Sequence, residues 1–390
     1  MPDVVIVGGG IIGAACAHEL ARAGASVTLI ERDELAAGAS GRNQGWFVVP
    51  KDPFLEPMAQ ATLPVYLAIA DDAPLPVWID REPVGHLLVA IDDAGVDGTE
   101  LEVVASAAAR GVRVDTLDPT ELRAVEPGLS SDVRGGWLLH QGHRLDPGSL
   151  TVALALTAQA AGAAIRHHLH VRALIEDDGR IRGVVTDEGP VEADHVIVAA
   201  GPWSSSLLDP IGVRLPVSGA RGWIVRVEPR PSLITHLIEQ VGWRDAPEGV
   251  AAVARPNAGY VAADGPPIAE VGALLHLHRD GTVLVGSSRQ AWITPEPEDP
   301  TVPQRQLQAA IRLVPSLADA PVLSSWWGLR PMTPDERPLV GPVRDGLIVA
   351  TGHGSEGVIL GAGTAKLVAS MVNGGEPPFD PTPFDPLRFA

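Results

Sequence analysis

The feature that most constrains the fold of this chain is a short apolar run followed at once by closely spaced glycines. Val4–Val7 has the continuous hydrophobic character of a buried parallel strand. The motif Gly8-x-Gly10-x-x-Gly13 follows it, and a helical pattern covers Ile11–Ala23. A second apolar run, Val27–Ile30, ends at Glu31. This order predicts a β-α-β unit of the kind that binds a nucleotide.

Each residue of this motif has a physical task in holding a dinucleotide. Gly8 makes the tight turn, Gly10 lets the backbone approach a pyrophosphate, and Gly13 lets the helix pack closely on the strand. The start of the helix presents N–H groups and the positive end of its dipole to the phosphates. Glu31 can accept hydrogen bonds from an adenosine ribose. The pattern predicts nucleotide binding without separating NAD from FAD.

A similar glycine pattern occurs near the carboxyl end of the chain. Gly352-x-Gly354-x-x-Gly357 lies between the apolar run Leu347–Thr351 and a small-residue helix at Val358–Met371. Neither a second strand nor a ribose-binding acid follows, so we do not expect a second dinucleotide. The helix start still offers N–H groups to an anion or an electron-rich atom. Together with a third apolar run, His195–Ala199, the pattern predicts one buried sheet assembled from distant segments.

The segments between these runs predict a second, antiparallel sheet with its own helices. We expect strands at Gly85–Ile91, Ala220–Val227 and Thr282–Gly286, helices at Glu100–Arg110 and Gln304–Leu313, and a loop at Arg244–Pro267.

Composition excludes several classes of protein. Asp and Glu outnumber Lys and Arg 48 to 29, and the formal net charge of −19 argues against nucleic acid or an anionic membrane as a partner. The single cysteine, Cys16, excludes an intramolecular disulfide framework and a cysteine-built zinc site. The uncharged stretch Pro147–Ile165 is long enough to span a bilayer but too polar, so we predict a buried helix of a soluble protein. No secretory signal precedes Val4, and we expect a cytoplasmic location.

Two groups of histidines are candidate metal ligands, because alternate residues of a strand share a face. They are His167, His168 and His170, and His276 with His278. Neither group has an acid or a cysteine at matching spacing along the chain, so we predict no metal site.

Four segments together resemble one known family. They are the Gly8-x-Gly10-x-x-Gly13 unit, Gly38–Gly45, Ala193–Ser204, and Gly328–Pro342 with Gly352–Gly357. In these motifs the chain resembles the D-amino-acid-oxidase-like flavoproteins, in their glycine oxidase and sarcosine oxidase branch, over essentially its whole length. The resemblance implies FAD rather than NAD.

The resemblance implies an α/β fold with a GR2-type Rossmann-like FAD-binding domain and an α+β substrate domain with an antiparallel sheet. The FAD-binding domain would be discontinuous, made of residues 1–50, 142–216 and 326–390. The substrate domain would comprise residues 51–141 and 217–325.

The same resemblance assigns roles to individual residues. Arg330 would grip the substrate carboxylate, which suits the planar fork of a guanidinium. Lys51 falls where the sarcosine branch places a basic substrate-binding residue, and His353 would lie beside the flavin; these three are the candidate catalytic residues. Arg330 and His353 are also candidate cofactor-binding residues, together with Gly8, Gly10, Ile12, Gly13, Glu31, Arg32, Ala39, Ser40, Asn43, Gln44, Gly45, Val171, Ala200, Gly201, Trp203, Gly328, Gly352, Gly354, Ser355, Glu356, Gly357, Val358 and Ile359.

Three departures from the family pattern carry predictions. Gly328 stands where sarcosine oxidases carry a flavin-linked cysteine, so we expect noncovalent FAD. Ser355 replaces the second arginine of glycine oxidase, and Leu275 is aligned with its substrate-binding tyrosine. The pocket would then have one firm carboxylate anchor and a wall that is more apolar than that of glycine oxidase. Such a pocket favours an N-substituted glycine or a bulky amino acid over glycine.

The implied reaction is oxidation of an amino acid or secondary amine by hydride transfer from the α-carbon to flavin N5. The imine would hydrolyse, and O2 would be reduced to H2O2. Two alternatives stay open: a dehydrogenase that passes electrons to a quinone or a partner protein, and a noncatalytic FAD-binding subunit. The sequence does not determine the oligomeric state.

Overall fold

The fold was analysed in a computed structural model, which describes residues 3–92, 100–228, 234–242, 252–255, 259–262, 267–291 and 299–390. The α-helices of these residues are α1 (Ile11–Arg22), α2 (Glu56–Asp72), α3 (Glu100–Ala109), α4 (Pro119–Val125), α5 (Pro147–Ala160), α6 (Ser204–Leu208), α7 (Thr301–Leu313) and α8 (Gly357–Asn373).

The strands of the described residues are β1 (Val4–Val7), β2 (Val27–Ile30), β3 (Trp46–Phe47), β4 (His86–Ala90), β5 (Val114–Leu117), β6 (Gly135–Leu139), β7 (His143–Arg144), β8 (Ala164–Arg166), β9 (Val171–Asp177), β10 (Arg180–Thr186), β11 (Gly189–Glu192), β12 (His195–Val198), β13 (Ser218–Val227), β14 (Leu237–Gln240), β15 (Ala252–Arg255), β16 (Gly259–Ala262), β17 (Pro267–Ile268), β18 (Glu270–Leu277), β19 (Val283–Ala291), β20 (Val322–Met332), β21 (Leu339–Arg344) and β22 (Leu347–Thr351).

A six-stranded sheet in the order β21-β22-β12-β1-β2-β8 forms the centre of the first structural unit. Its strands are parallel except for β21, which is antiparallel to β22. Helices α1, α2, α5 and α8 share a hydrophobic core on one face, and the β9–β11 sheet and α6 pack on the other. Burial on both faces explains why β1, β2 and β22 are almost entirely apolar, with Thr28 and Thr351 as their polar residues. The predicted β-α-β unit and the sheet built from distant segments are confirmed.

The helices of this layer begin and end at residues whose chemistry explains the boundary. Asp146 caps α5 by accepting hydrogen bonds from the N–H groups of Gly148 and Ser149, and Pro147 occupies the first helical position. Gly374 ends α8 in a left-handed conformation with φ of +63°. The uncharged stretch Pro147–Ile165 therefore forms α5 and enters β8. None of the helices in the described part of the chain combines the length and apolar character needed to cross a bilayer.

An eight-stranded sheet in the order β20-β13-β19-β18-β14-β4-β6-β5 forms the second unit. All neighbouring strands in it are antiparallel except β14 and β4, which run parallel. The predicted antiparallel sheet is thus confirmed, with β14 and β4 as its one parallel pair. Helix α7 packs on this sheet through Ala310 and Leu313.

Two segments depart from the sequence-based description. Arg244–Pro267 was predicted to be a loop, but it contains β15 and β16, and β17 begins at its end; its other residues lie outside the described ones. Helix α2 contributes Met58 and Tyr66 to the core shared with α1 and α8, although it falls within residues 51–141. The domain boundaries themselves stay a prediction.

Candidate cofactor and substrate site

A large cavity of about 1160 Å³ connects the two sheets. It opens at the carboxyl ends of the parallel strands, where Val7, Ile30 and Ala199 line it. Ligands of open α/β sheets bind at this edge. The cavity continues to the eight-stranded sheet, where residues of β13, β19, β18, β14, β4 and β6 form its wall.

The first glycine motif forms the tight crossing between β1 and α1. A β-carbon on Gly8, whose φ is +116°, would overlap the carbonyl oxygen of Ala199, and one on Gly13 would overlap that of Gly8. Gly10 is the N-cap residue of α1, and the first turn of the helix contains no acidic residue. The positive end of the helix dipole therefore faces the cavity, and no acidic side chain of the helix itself lies beside it.

Glu31 braces this turn from the end of β2. Its Oε2 atom accepts a hydrogen bond of 2.6 Å from the N–H of Gly9, and Oε1 accepts one of 2.9 Å from Asp33. The guanidinium carbon of Arg32 lies 4.0 Å from the centre of the Trp203 ring, a cation–π contact. Glu31, Arg32 and Trp203 all line the cavity. They join β2 to the turn after β12 at the end of the cavity where the ribose is predicted.

The loop at residues 39–45 is closed by its own side chains. Ser40 Oγ accepts a hydrogen bond of 2.8 Å from the N–H of Ile11, which satisfies a donor at the start of α1. The Asn43 side chain accepts from the N–H of Gly45 and donates to the carbonyls of Ala39 and Ser40. The buried Gln44 amide donates to the carbonyl of Leu274 over 2.8 Å, so the loop is fastened to β18.

The second glycine motif delivers the start of α8 to the cavity. Gly352 and Gly354 have φ of +75° and +53°, which L side chains rarely adopt. His353 between them is 2% exposed and shares a hydrogen bond of 2.9 Å with Thr364 Oγ1. Burial lowers the pKa of His353 to about 3, so its imidazole is neutral at physiological pH. The helix dipole is then the positive group that this segment contributes.

Arg330 reaches the cavity from β20. Its Nη1 atom donates to the carbonyl of Ser288 over 2.9 Å, and Nη2 donates to Ser287 Oγ over 3.0 Å. Gly222 on the adjacent strand β13 makes room for the guanidinium, since a β-carbon there would overlap Nη1. A guanidinium fixed in this way keeps a rigid orientation in the cavity wall.

Lys51 belongs to a polar cluster that the sequence did not reveal. Lys51 Nζ lies 3.3 Å from Glu239 Oε1, and Glu239 Oε2 lies 3.1 Å from His86 Nε2. The Glu239 and His86 side chains are only 5% and 6% exposed, whereas Lys51 is 26% exposed. All three line the cavity. The one signal for Glu239 in the sequence is an acid that directly follows two apolar residues, Leu237 and Ile238, in β14.

Trp46 lines the cavity next to this cluster and is held by a buried histidine. Its Nε1 atom donates a hydrogen bond of 2.7 Å to His276 Nδ1. Burial, with the charges of His278, Arg144 and Arg226, lowers the pKa of His276 to about 3. Because Trp46 is only a donor, the neutral His276 accepts at Nδ1 and carries its proton on Nε2.

The alignment of Leu275 with a substrate-binding tyrosine is not supported. Leu275 is fully buried in the core of the eight-stranded sheet and pairs with Ile238. Its neighbour Leu274, which pairs with Glu239, lines the cavity instead. Adjacent residues of a strand point to opposite faces, so an error of one position moves a side chain from the cavity to the core.

The cavity brings together nearly all of the candidate site residues. Lys51, Arg330, His353 and the candidate cofactor-binding residues line it, except Gly13 and Gly352. Gly13 lies beneath the β1–α1 turn, and Gly352 packs against Thr333. Their positions are observed, while their roles toward FAD and substrate stay predictions.

One cluster places a carboxylate beside two of the histidines that are candidate metal ligands. Glu34 oxygens lie 2.8 Å from His168 Nε2 and 3.5 Å from His167 Nδ1, and all three residues are exposed. This acid is not at local spacing from the histidines, because it comes from a segment more than a hundred residues earlier.

The site fits FAD in its shape and in its donors. The Gly8–Gly13 turn leaves a cradle that side chains would fill, and the start of α1 offers N–H groups for phosphates. Glu31 and Val171 line the cavity, and so does the start of α8, which comes from a distant part of the sequence. These features define a dinucleotide-binding oxidoreductase fold.

Comparison with known proteins gives the family. A family model described as FAD dependent oxidoreductase matches residues 3–371, and the chain belongs to that family. The predicted family, its fold and the cofactor FAD are therefore confirmed.

Individual relatives agree with this assignment. The chain is 30% identical over 399 residues to a glycine oxidase from Pseudomonas aeruginosa, with 98% of each protein covered. It is 29% identical over 392 residues to the bifunctional protein ThiO/ThiG from Nostoc sp., covering 95% of this chain and 52% of that protein, so it spans about half the length of that relative. A solved glycine oxidase structure from Geobacillus kaustophilus matches with a TM-score of 0.85 at 25% identity, covering 99% of this chain and 98% of that one.

Proposed function

We propose that this protein oxidises an amino acid or a secondary amine whose carboxylate is bound by Arg330. Bound FAD supplies the two-electron oxidation of the carbon–nitrogen bond, a reaction that no side chain can perform. The observation that carries the proposal is the position of Arg330, held by Ser287 and Ser288 in the wall of the cavity that the nucleotide-binding turn opens.

Arg330 contributes orientation. Two of its donors are directed to β19, so the guanidinium plane is fixed before substrate arrives. A carboxylate that meets this plane is held in one orientation, which places the neighbouring α-carbon reproducibly. Such positioning is the main contribution that the protein makes when the cofactor carries the redox chemistry.

His353 in the cavity wall adds no positive charge to the site, because burial lowers its pKa to about 3. Its imidazole stays neutral at physiological pH, so it neither attracts nor repels a protonated amine. The amine loses its proton before oxidation, since its lone pair must be available to the developing imine.

FAD is held without a covalent bond in this proposal. Cys16 is the only cysteine of the chain, and it lies on α1 with its side chain fully buried in the core. Gly328 lines the cavity and has no reactive side chain. The predicted flavin-linked position is thus occupied by a residue that cannot form a thioether.

The substrate is proposed to be larger than glycine. Ser355 stands in the cavity wall, and Leu274 takes the place first assigned to Leu275. Apolar side chains from several elements complete the wall: Val49, Leu88, Val103 and Leu139. Burying hydrocarbon against them contributes about 0.8 kcal/mol per methylene, which glycine lacks.

The test is an anaerobic panel of amines added to the purified holoprotein. Glycine, sarcosine, longer N-alkylglycines and bulky amino acids are compared with the corresponding amines that lack the carboxylate. We expect bleaching of the visible flavin absorbance by the carboxylated amines, and fastest by the larger ones. Bleaching by dithionite alone would favour the noncatalytic FAD-binding subunit and overturn the proposal.

The electron acceptor is tested on the same samples. Admission of air should restore the flavin absorbance and produce one peroxide per amine consumed, because O2 is the proposed acceptor. A flavin that stays reduced in air but reoxidises with a quinone would instead establish the dehydrogenase alternative.

A further inference from the structure

The Lys51–Glu239–His86 cluster is a second polar pole of the cavity, separate from Arg330. Glu239 bridges the other two residues, with 3.3 Å from Oε1 to Lys51 Nζ and 3.1 Å from Oε2 to His86 Nε2. Glu239 and His86 are more than nine-tenths buried. A carboxylate at such a buried position costs free energy unless charged or hydrogen-bonding partners compensate for its loss of water.

The order of strands gives the separation of the two poles. Arg330 binds Ser287 on β19, beside Gly286. Gly286 is in register with Leu274 on β18, and Leu274 is in register with Glu239 on β14. Two strand spacings, about 10 Å, therefore separate Glu239 from the β19 segment that holds the Arg330 guanidinium.

The wall between the poles is apolar. Leu274 lies between them on the cavity face, and Leu88 in register with Glu239 extends this surface on β4. Hydrogen bonds of about 3 Å at each end leave room for a short alkyl chain between two polar ends of a ligand.

The charges decide which kind of group the second pole receives. Both Glu239 oxygens are engaged, one by Lys51 and one by His86, and the carboxylate is buried behind them. Lys51 is the most exposed member of the cluster at 26%, so an incoming group meets a cation first. A second cation would compete with Lys51 for Glu239. An anion bound to Lys51 would instead place that lysine between two negative charges, that of the anion and that of Glu239.

We propose that the preferred substrate is an amine with two acidic groups, one bound by Arg330 and the other by Lys51, with Glu239 and His86 as positioning residues. This inference rests on the proposed function, because it names the substrate class of the same site. It predicts N-(carboxyalkyl)glycines, or amino acids with an acidic side chain, in preference to uncharged analogues of equal length.

The first test compares each diacid with its own monoamide in the wild-type protein. Iminodiacetate, N-(2-carboxyethyl)glycine and N-(3-carboxypropyl)glycine are assayed beside the analogues in which the distal carboxylate is a carboxamide. A charge-assisted hydrogen bond predicts a kcat/KM about 10- to 100-fold higher for the diacid at the best chain length. Equal values for diacid and amide at every length would overturn the proposal.

The second test follows that ratio in three variants. Lys51→Met should reduce the diacid-to-amide ratio to near one, and Lys51→Arg should retain most of it. Glu239→Gln should keep or raise the ratio, since the charge of Lys51 is then less neutralised. If Lys51→Met lowers both compounds equally, Lys51 serves the first carboxylate or the fold alone, and the inference is wrong. It is also wrong if an ω-amino analogue is preferred and that preference is lost in Glu239→Gln.

Binding of compounds that cannot be oxidised separates this inference from the proposed function. Thioether diacids of the same lengths, and their monoamides, are titrated into the holoprotein by calorimetry. Tighter binding of the diacid in wild type, and its loss in Lys51→Met, would support the subsite even if no amine reduced the flavin. Equal affinities would reject the subsite even if amines were oxidised.

Discussion

Gly222 on β13 and Arg330 on β20 are neighbours across two antiparallel strands, and the guanidinium occupies the space that a β-carbon on Gly222 would fill. The hydrogen bonds of Arg330 to Ser287 Oγ and the Ser288 carbonyl depend on this space. The orientation of the proposed carboxylate anchor is thus set by the absence of a side chain on the adjacent strand.

Adding one methyl group at this position should affect substrate binding more than folding. Gly222→Ala displaces the flexible end of Arg330 rather than backbone, so we expect a KM for carboxylate substrates raised about tenfold or more, with FAD content preserved. Gly375→Ala is the matched control, because a β-carbon there has nothing closer than 3.9 Å. Steady-state kinetics of both variants decide this, and an unchanged KM in Gly222→Ala would contradict the geometry.

Removing the guanidinium itself tests the proposed anchor directly. Arg330→Leu should leave the flavin spectrum nearly intact but lower kcat/KM for carboxylated amines about 10- to 100-fold, the effect of losing a charge-assisted bidentate contact. Arg330→Lys retains the charge without the planar fork and should recover only part of the loss. Full activity in Arg330→Leu would show that the residue is structural.

Replacing Glu31 should weaken the binding of FAD. Glu31→Ala removes the acceptor for the N–H of Gly9 as well as the predicted ribose contact, so we expect about 1–3 kcal/mol less binding free energy. Fluorescence titration of the apoprotein with FAD measures the change. Glu192→Ala, an exposed acid on β11, is the control and should bind like wild type. Equal affinity in Glu31→Ala would remove Glu31 from the cofactor site.

Acid precipitation should release all of the flavin. The sole thiol, Cys16, is fully buried, and burial together with Glu19 raises its pKa to about 12, so it is not a thiolate at neutral pH. The yellow chromophore is therefore expected in the supernatant. Flavin that remains with the pellet would mean a covalent link through another residue.

Stability should fall as the pH is lowered below about 6.5. His353 and His276 have pKa values near 3 in the folded protein and 6.5 as the ordinary value, because burial disfavours the charged form. Between these values the unfolded chain binds more protons, so each histidine lowers the free energy of unfolding by about 1.4 kcal/mol per pH unit on acidification.

Chemical denaturation between pH 7 and pH 5 measures this dependence. His276→Gln removes one of the buried histidines whose pKa is lowered, of which His18 is a third, and should make the slope shallower by up to about one proton. A slope equal to that of wild type would show that His276 is not neutral in the folded protein.

Local sequence patterns predicted the nucleotide end of the site. Contacts that depend on the order of strands in the sheet could not be predicted from the sequence. The turn at Gly8–Gly13 and the acid at Glu31 follow from spacing within one β-α-β unit. Glu239 reaches Lys51 and His86 only because β14 inserts between β18 and β4. Nothing in the spacing of these residues along the chain indicates that order.

Register explains another failure of sequence reasoning. The choice between Leu274 and Leu275 is a choice between the two faces of β18, which an alignment uncertain by one residue cannot make.

The central sheet also has a consequence for the order of biosynthesis. Strand β1 pairs with β12 on one side, and β12 in turn pairs with β22, so the middle of the sheet waits for residues translated long after β1. A ribosome-bound chain that has emerged only to residue 330 lacks β21, β22 and α8, and with them one wall of the cavity. The glycines after β1, although synthesised earlier, cannot close around the flavin until β22 and α8 have been added. Pairing over such long sequence separations slows folding, so FAD capture is expected to follow the synthesis of α8.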